Sequence, residues 1–186
     1  MRATRSFGKV FKCTLIGEGG VGKTSIALRY TEDRFEEDMK ITIGVNFANK
    51  KIQVDGIDVT LMLWDLGGQP RFRDVVTDYF RGSKIAIAVY DATRPFSLDR
   101  LDDWVKRLKE NASECEILFV GNKIDERTED GVSLEYAQTY ADTYGASVVE
   151  VSAKTGEGIN EMFELAARVL LDKDRDASSP FAESME

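Results

Sequence analysis

Histidine is missing altogether from the 186 residues of this chain. Its absence excludes imidazole nucleophile activation, imidazole metal ligation and an imidazole pH switch together. Cysteine occurs twice, at Cys13 and Cys115, too few for a disulfide framework. Cys13 falls in an apolar run and Cys115 in a polar stretch, so both are expected to be reduced thiols of a cytoplasmic protein. No apolar run is long enough to cross a bilayer, and Met1-Arg2-Ala3-Thr4-Arg5-Ser6 leads into no signal-peptide core. Positive charge is also in deficit, with 25 Lys and Arg against 33 Asp and Glu and a net charge of −8. That balance argues against a basic face for nucleic acid and against electrostatic attachment to anionic lipid. What is present, 42% hydrophobic and 31% charged residues, suits one compact domain with a full core.

Along the chain, strand and helix patterns alternate, with no internal repeat. Lys9 to Ile16 reads as a strand, and a helix is expected from Thr24. Val45 to Val54 and Ile57 to Trp64 flank Asp55-Gly56, a two-residue hairpin signal that makes these strands antiparallel neighbours. Ile85 to Tyr90 and Ile117 to Val120 are uninterrupted apolar runs, as in parallel strands buried on both faces. Ser147 to Val151 is a last short strand beyond the helix stop at Gly145. Leu98, Leu101, Val105 and Leu108 mark one helical stripe; Ile159, Met162, Phe163, Ala166, Val169 and Leu170 mark another, both read as core contacts. The order predicts an α/β fold, a doubly wound, mostly parallel six-stranded sheet with one antiparallel hairpin strand. Residues 1–8 are expected as an N-terminal extension, 9–172 as the folded domain and 173–186 as a flexible C-terminal tail. In such sheets ligands bind beyond the carboxyl ends of the strands, so functional residues should come directly after strands.

Four segments meet that condition. Gly17-Glu18-Gly19-Gly20-Val21-Gly22-Lys23-Thr24 matches G-x-x-x-x-G-K-[ST], a match expected by chance in on the order of 1% of chains this long. Its setting between a strand and a helix lets consecutive backbone N–H groups of Gly19, Gly20, Val21, Gly22, Lys23, Thr24 and Ser25 converge on phosphate. Lys23 would reach the β- and γ-phosphates, and the Thr24 hydroxyl would ligate Mg²⁺. Asp65-Leu66-Gly67-Gly68-Gln69 supplies an aspartate able to hold Mg²⁺ through water. It also supplies a side-chain-free approach to a γ-phosphate at Gly68 and, in Gln69, a group placed to orient an attacking water. Gly121-Asn122-Lys123-Ile124-Asp125 offers a carboxylate for the paired N–H donors of guanine, which adenine lacks, with Asn122 bracing the loop and Lys123 covering the base. Ser152-Ala153-Lys154 brings the Ala153 N–H to the guanine carbonyl. Each short motif alone is an ordinary polar loop; four in order at strand ends are not.

On these motifs the chain resembles a small GTPase of the Ras superfamily, a P-loop NTPase small G domain, over roughly residues 9 to 171. It is most similar to the Rab family, through Arg29 to Phe35 with Ile41 to Phe47 as the first switch, and through Trp64-Asp65, Gly68-Gln69 and Arg71-Phe72-Arg73 as the second. The resemblance implies that Thr42 contacts Mg²⁺ and the γ-phosphate in the GTP state only, and that Phe35 packs on the base. It implies an effector surface of Ile43 and the aromatic triad Phe47, Trp64 and Tyr79, although simple core packing is an equal reading for Phe47 and Trp64. It further implies a monomeric switch with GTP or GDP bound, served by effectors, exchange factors and GTPase-activating proteins and not by nucleic acid. Location is expected to be cytoplasmic, peripheral to a membrane through partners in vesicle trafficking or related signalling.

The chain departs from the Rab pattern at three places. Leu66-Gly67 replaces the usual Thr-Ala, giving the Asp-x-Gly-Gly-Gln form of the Arf family and of heterotrimeric G-protein α subunits; Gly67-Gly68 is expected to act as a freer hinge. Pro70 fixes φ just after Gln69. No lipid anchor is visible, because residues 181–186 contain no cysteine and Arg2 stands where N-myristoylation needs glycine. No arginine precedes Thr42 in Asp38-Met39-Lys40-Ile41, so intrinsic hydrolysis is expected to be slow and accelerated from outside. The alternatives are a nucleotide-locked binding module with little or no hydrolysis, and an ATP-using kinase-like P-loop enzyme, which Asp125 argues against.

Overall fold

Alternation of side chains along the central strands divides the interior into two cores, one on each face of a single sheet. The computed structural model describes residues 8–69, 71 and 73–178. The strands are β1 (Lys9–Ile16), β2 (Val45–Val54), β3 (Ile57–Leu66), β4 (Ile85–Asp91), β5 (Glu116–Asn122) and β6 (Ser147–Glu150). They lie in the order β2-β3-β1-β4-β5-β6, with only the β2–β3 pair antiparallel. The doubly wound architecture expected from the sequence is therefore present. Along β4, Ile85, Ile87 and Val89 face one core, while Ala86, Ala88 and Tyr90 face the other.

The first core is closed by α1 (Lys23–Glu32) and α6 (Ile159–Ala177), and the second by α2 (Arg73–Thr77), α3 (Pro95–Asp99), α4 (Leu101–Asn111) and α5 (Leu134–Asp142). At the hairpin, Asp55 and Gly56 have φ of 50° and 77°, the two left-handed residues that a tight turn between twisted strands requires. Pro95 opens α3, where its missing N–H has no helical partner to lose. The Ser133 hydroxyl caps α5 by accepting from the Tyr136 N–H.

Several expected boundaries shift. β3 and β5 run farther than their apolar cores, so Asp65 and Asn122 are strand-end residues paired in the ladder and not loop residues. The helix expected at Thr24 starts at Lys23, and β6 stops at Glu150. α6 continues to Ala177 through part of the expected tail, because ion pairs of Lys9 with Asp174 and Lys173 with Glu116 dock those polar turns on β1 and β5. Residues 179–186, the rest of that tail, lie outside the described residues, as do 1–7. Val169, placed in the α6 stripe from its spacing, is 37% exposed, and Ala167 and Leu171 take the buried positions instead. Cys115 lies in the loop between α4 and β5, as expected, but is buried there; burial pushes its thiol up to about 12, against the pull of Lys109 and Lys173, and raises that of Cys13 as well. Both thiols are free.

Phe163 is a core residue, as expected, stacked on Tyr30 with ring centroids 3.9 Å apart and planes 18° from parallel. The Tyr30 hydroxyl, by contrast, is buried with no hydrogen-bond partner. Truncation and hydroxyl removal at this position should therefore diverge. Tyr30→Ala is expected to cost about 3–5 kcal/mol through the lost stack and residual cavity. Tyr30→Phe is expected to be neutral or stabilising by up to about 1 kcal/mol, since it relieves an unsatisfied hydroxyl. Urea unfolding of the two variants measures both.

Candidate functional site

The loop between β1 and α1 turns on glycine. Gly22 stands at the N-cap of α1 with φ 98°, and a Cβ there would collide with the Asn122 side-chain amide. The approach is close enough for Asn122 Nδ2 to donate to the Val21 carbonyl at 2.9 Å. The loop so pinned presents the N-terminus of α1, with Lys23, Thr24 and Ser25 as its first residues. Lys23 is buried, and its ammonium donates to the carbonyls of Gly17 and Glu18 at 2.9 Å each. Burial lowers its pKa to about 8, with Asp65 and Glu18 opposing. Gly68 is buried beside that ammonium, which a Cβ at Gly68 would meet at 2.5 Å. Gln69 is half-buried, with its Cγ facing Gly19.

A chain of hydroxyls runs from the first helix to the third strand. Thr24 Oγ1 donates to Asp65 Oδ2 at 2.6 Å, which commits its proton, so the Thr42 hydroxyl donates to Thr24 Oγ1 at 2.7 Å. Asn46 Nδ2 adds a long contact to the same carboxylate oxygen at 3.4 Å. Asp65 Oδ1 is buried with no partner, and burial raises the carboxyl pKa against the pull of Thr24, Lys23 and Asn46. A half-satisfied buried carboxylate beside two hydroxyls is a donor set that fits a hard divalent cation with oxygen ligands. Among the described residues no cluster of three or more acidic, cysteine or histidine ligands exists, so water and substrate oxygens must complete any such shell.

On the other side of the cleft, the Asn122 side chain spends its second function on the last loop, accepting from the Ala153 N–H at 3.0 Å. Lys123 has φ 67° and donates to the Gly20 carbonyl at 2.8 Å. Asp125 sits exposed in the 3₁₀ turn Ile124–Glu126 and accepts from the buried Ser152 hydroxyl at 2.5 Å. Lys154 pairs with Glu126 at 3.2 Å. Phe35 is half-buried against the first core and lines the same cleft, a cavity of about 530 Å³ that also reaches Gly19, Lys40 and Thr42.

Two residues that hold this arrangement do not stand out from the sequence. Asp91, 1% exposed at the end of β4, binds Lys123 Nζ at 2.7 Å and Arg94 Nε at 3.0 Å and accepts from the Thr93 N–H and hydroxyl. Arg29, on α1, donates to the carbonyls of Ala153 and Lys154 at 2.9 and 2.7 Å. Asp91 ends a strand as other site residues do, which is a usable sequence signal; Arg29 falls in the segment that resembles the Rab first switch, but nothing there marks it as a partner of residues 153 and 154.

The aromatic residues Phe47, Trp64 and Tyr79 do form one contiguous group. Phe47 meets Trp64 edge-on at 4.5 Å, Trp64 lies 5.8 Å from Tyr79, and the Lys12 ammonium sits 3.6 Å over the indole. Phe47 is 62% exposed and Ile43 is exposed as well, whereas Trp64 and Tyr79 are half-buried against the second core. Pro70 lies outside the described residues.

Residues 12–172 match the family described as the Ras family. Among curated proteins, the chain is 36% identical to the GTP-binding protein ypt2 of Schizosaccharomyces pombe over 181 residues, covering 97% of this chain and 90% of that protein. It is 37% identical to the Ras-related protein Rab-8B of Homo sapiens over 170 residues, with 91% and 82% covered. It is also 38% identical to the Ras-related protein Rab-13 of Bos taurus over 170 residues, with 91% and 84% covered. These matches show that the chain belongs to the Ras family, with Rab-like relatives, and is a GTPase.

Proposed function

We propose that the protein is a GTP/GDP switch of the Rab type in vesicle trafficking, with Mg²⁺ as cofactor, slow intrinsic hydrolysis and effector recruitment in the GTP state. One observation carries this reading: a single cleft brings Gly20, Lys23, Thr24, Thr42, Asp125 and Ala153 to one cavity. The backbone N–H groups of Gly19 to Ser25 and the Lys23 ammonium hold the phosphates, whose negative charge opposes the effect of burial that lowers the Lys23 pKa. Thr24 and Thr42 would ligate Mg²⁺ directly and Asp65 through water, and the ion supplies neutralisation of phosphate charge. Asp125 takes the two guanine N–H groups, Lys123 and Phe35 cover the base, and the Ala153 N–H donates to its carbonyl, with Asn122, Ser152 and Lys154 bracing the loop.

Hydrolysis needs positioning more than covalent chemistry. Gln69 orients a water in line with the γ-phosphorus; as the water oxygen bonds to that phosphorus, the bond to the β–γ bridging oxygen breaks, GDP leaves with that oxygen and the water's proton passes to the phosphate oxygens. Lys23 and the Gly68 N–H take up the charge that develops. Among the described residues no arginine lines the cleft, and Arg94 is held by Asp91. Turnover by the isolated chain is therefore slow, and a GTPase-activating protein supplies the missing cation. Thr42 and Gln69, which engage the γ-phosphate, lie close in sequence to Phe47 and Trp64 respectively, so the bound nucleotide biases what an effector meets. The Asp-x-Gly-Gly-Gln form of the second switch belongs to this reading as a local departure from the Rab pattern. Membrane contact is proposed through partners, since among the described residues no helix is long and apolar enough to cross a membrane.

Two variants test the assignment. Asp125→Asn is expected to lower GTP affinity by on the order of 100-fold and to raise preference for xanthosine triphosphate, read by competition binding. Gln69→Leu is expected to leave GTP affinity unchanged while slowing single-turnover phosphate release by about 10-fold or more. A nucleotide-locked module would show no release over hours in either parent or variant.

A further inference from the structure

The loop beyond β6 lines the cleft at Ala153 and Lys154, and the peptide groups joining Ser152 to Thr155 build it. Five of the six backbone polar groups in these peptides are bonded. The Ser152 carbonyl accepts from the Gly156 N–H at 2.8 Å, and the Ala153 N–H donates to Asn122 Oδ1 at 3.0 Å. The Thr155 N–H donates to Ser152 Oγ at 3.0 Å. The carbonyls of Ala153 and Lys154 both go to Arg29, through Nε at 2.9 Å and Nη2 at 2.7 Å. Among the described residues the remaining group, the Lys154 N–H, has no partner.

Arg29 decides where that N–H points. In a trans peptide the carbonyl and the following N–H lie antiparallel in one plane. The Ala153 carbonyl and the Lys154 N–H share such a plane, so holding the first on Arg29 turns the second away from α1. Arg29 itself does not line the cleft, whereas Ala153 and Lys154 do, so the side turned from Arg29 is the cleft side. The Ala153 N–H, taken by Asn122, reaches a ligand there only as a shared donor.

The guanidinium suits this task. Nε and Nη2 form one edge of a planar fork and match two successive carbonyls, as the single point charge of an ammonium does not. Nη1 donates to the Asp33 carbonyl at 3.2 Å and to Asp33 Oδ1 at 3.1 Å, which stops the plane from rotating. The side chain is only 17% exposed.

We propose that Arg29 is a specificity-determining positioning residue: it aims the Lys154 N–H at the guanine carbonyl as a second donor beside that of Ala153. The inference rests on the guanine reading of the cleft and adds that part of the base selectivity is set from α1, behind the loop. Two N–H groups converging on that point accept a carbonyl and oppose the amine that adenine carries in its place.

The probe is 6-thioguanosine diphosphate, which keeps both N–H groups facing Asp125 and replaces the carbonyl oxygen with sulfur, a weaker acceptor. Arg29→Lys keeps the charge and loses the fork. In this variant GDP is expected to dissociate about 10-fold faster, and the preference for GDP over the thio analogue is expected to collapse. The preference for GDP over inosine diphosphate, which lacks only the amine facing Asp125, is expected to stay at the parent value. Hydrogen exchange of the parent needs no variant: the Lys154 amide is expected to be protected with GDP and to exchange faster with the thio analogue. GDP dissociation within twofold of the parent, both preferences falling together, or a Lys154 amide exchanging equally with the two nucleotides overturns the proposal. Failure of the parent to bind GDP at all would instead remove the base recognition on which it rests.

Discussion

The side-chain amide of Asn122 donates to the Val21 carbonyl at 2.9 Å and accepts from the Ala153 N–H at 3.0 Å, and both bonds are out of water. Three loops from three different βα units meet at this one group: the phosphate loop, the base loop and the loop after β6. Gly22 makes the meeting possible by leaving room where a Cβ would collide with Asn122. Losing the amide leaves buried backbone polar atoms unpaired at about 1–3 kcal/mol each. Asp91 and Arg29 repeat the device at the rim, one through Lys123 to Gly20 and one through the carbonyls of Ala153 and Lys154. The cleft keeps its shape through tertiary bonds between loops, with the sheet serving as their common base.

Charge is arranged against the grain of the whole chain. A net charge of −8 repels a nucleotide triphosphate at long range, and attraction has to be local. Lys23, Lys40, Lys123 and Lys154 all line the cleft. Lys23 is the costly one, since its ammonium is buried with only carbonyl oxygens as direct partners. Asp65 carries the matching cost on the other side, with one carboxylate oxygen unsatisfied. Both charges are desolvated in poor surroundings, and a ligand that satisfies both stabilises the fold by binding it. Affinity and stability draw on the same two residues.

Much of this is legible in the sequence because strand ends and glycine spacing are local signals. The phosphate loop, Asp65, Asn122 to Asp125 and Ser152 to Lys154 all stand at or just beyond the carboxyl end of a strand, where an α/β sheet binds its ligands. The limits are equally physical. An aspartate at the end of β4 signals its place by its strand end, but its role shows only with Lys123 2.7 Å from it, across the strand boundary. The α6 extension to Ala177 is polar and reads as tail; the pairing of Lys9 with Asp174 and of Lys173 with Glu116 joins it to distant segments that its own spacing does not reveal. Gly67 signals conformational freedom when taken alone, whereas it is buried with its N–H on the Gly44 carbonyl. Propensity describes a residue alone, and these three are defined by neighbours.

The hairpin explains how two switches remote in sequence come to act together. Register along β2 and β3 pairs Val54 with Ile57 at the turn, and at the far end of the ladder it sets Val45 against Leu66, Asn46 against Asp65 and Phe47 against Trp64. The first switch leaves this ladder at Gly44, and the second leaves it at Gly67, directly opposite, where the Gly67 N–H to Gly44 carbonyl bond adds one rung. A slip of one residue would take Asn46 away from Asp65 and turn Phe47 to the opposite face from Trp64, undoing the metal-side contact and the aromatic surface together. What prevents the slip is the Asp55-Gly56 turn, whose two left-handed residues fit one pairing only. A tight turn distant from the cleft thus sets the alignment by which Gly44 and Gly67, where the two segments leave the ladder, lie opposite each other.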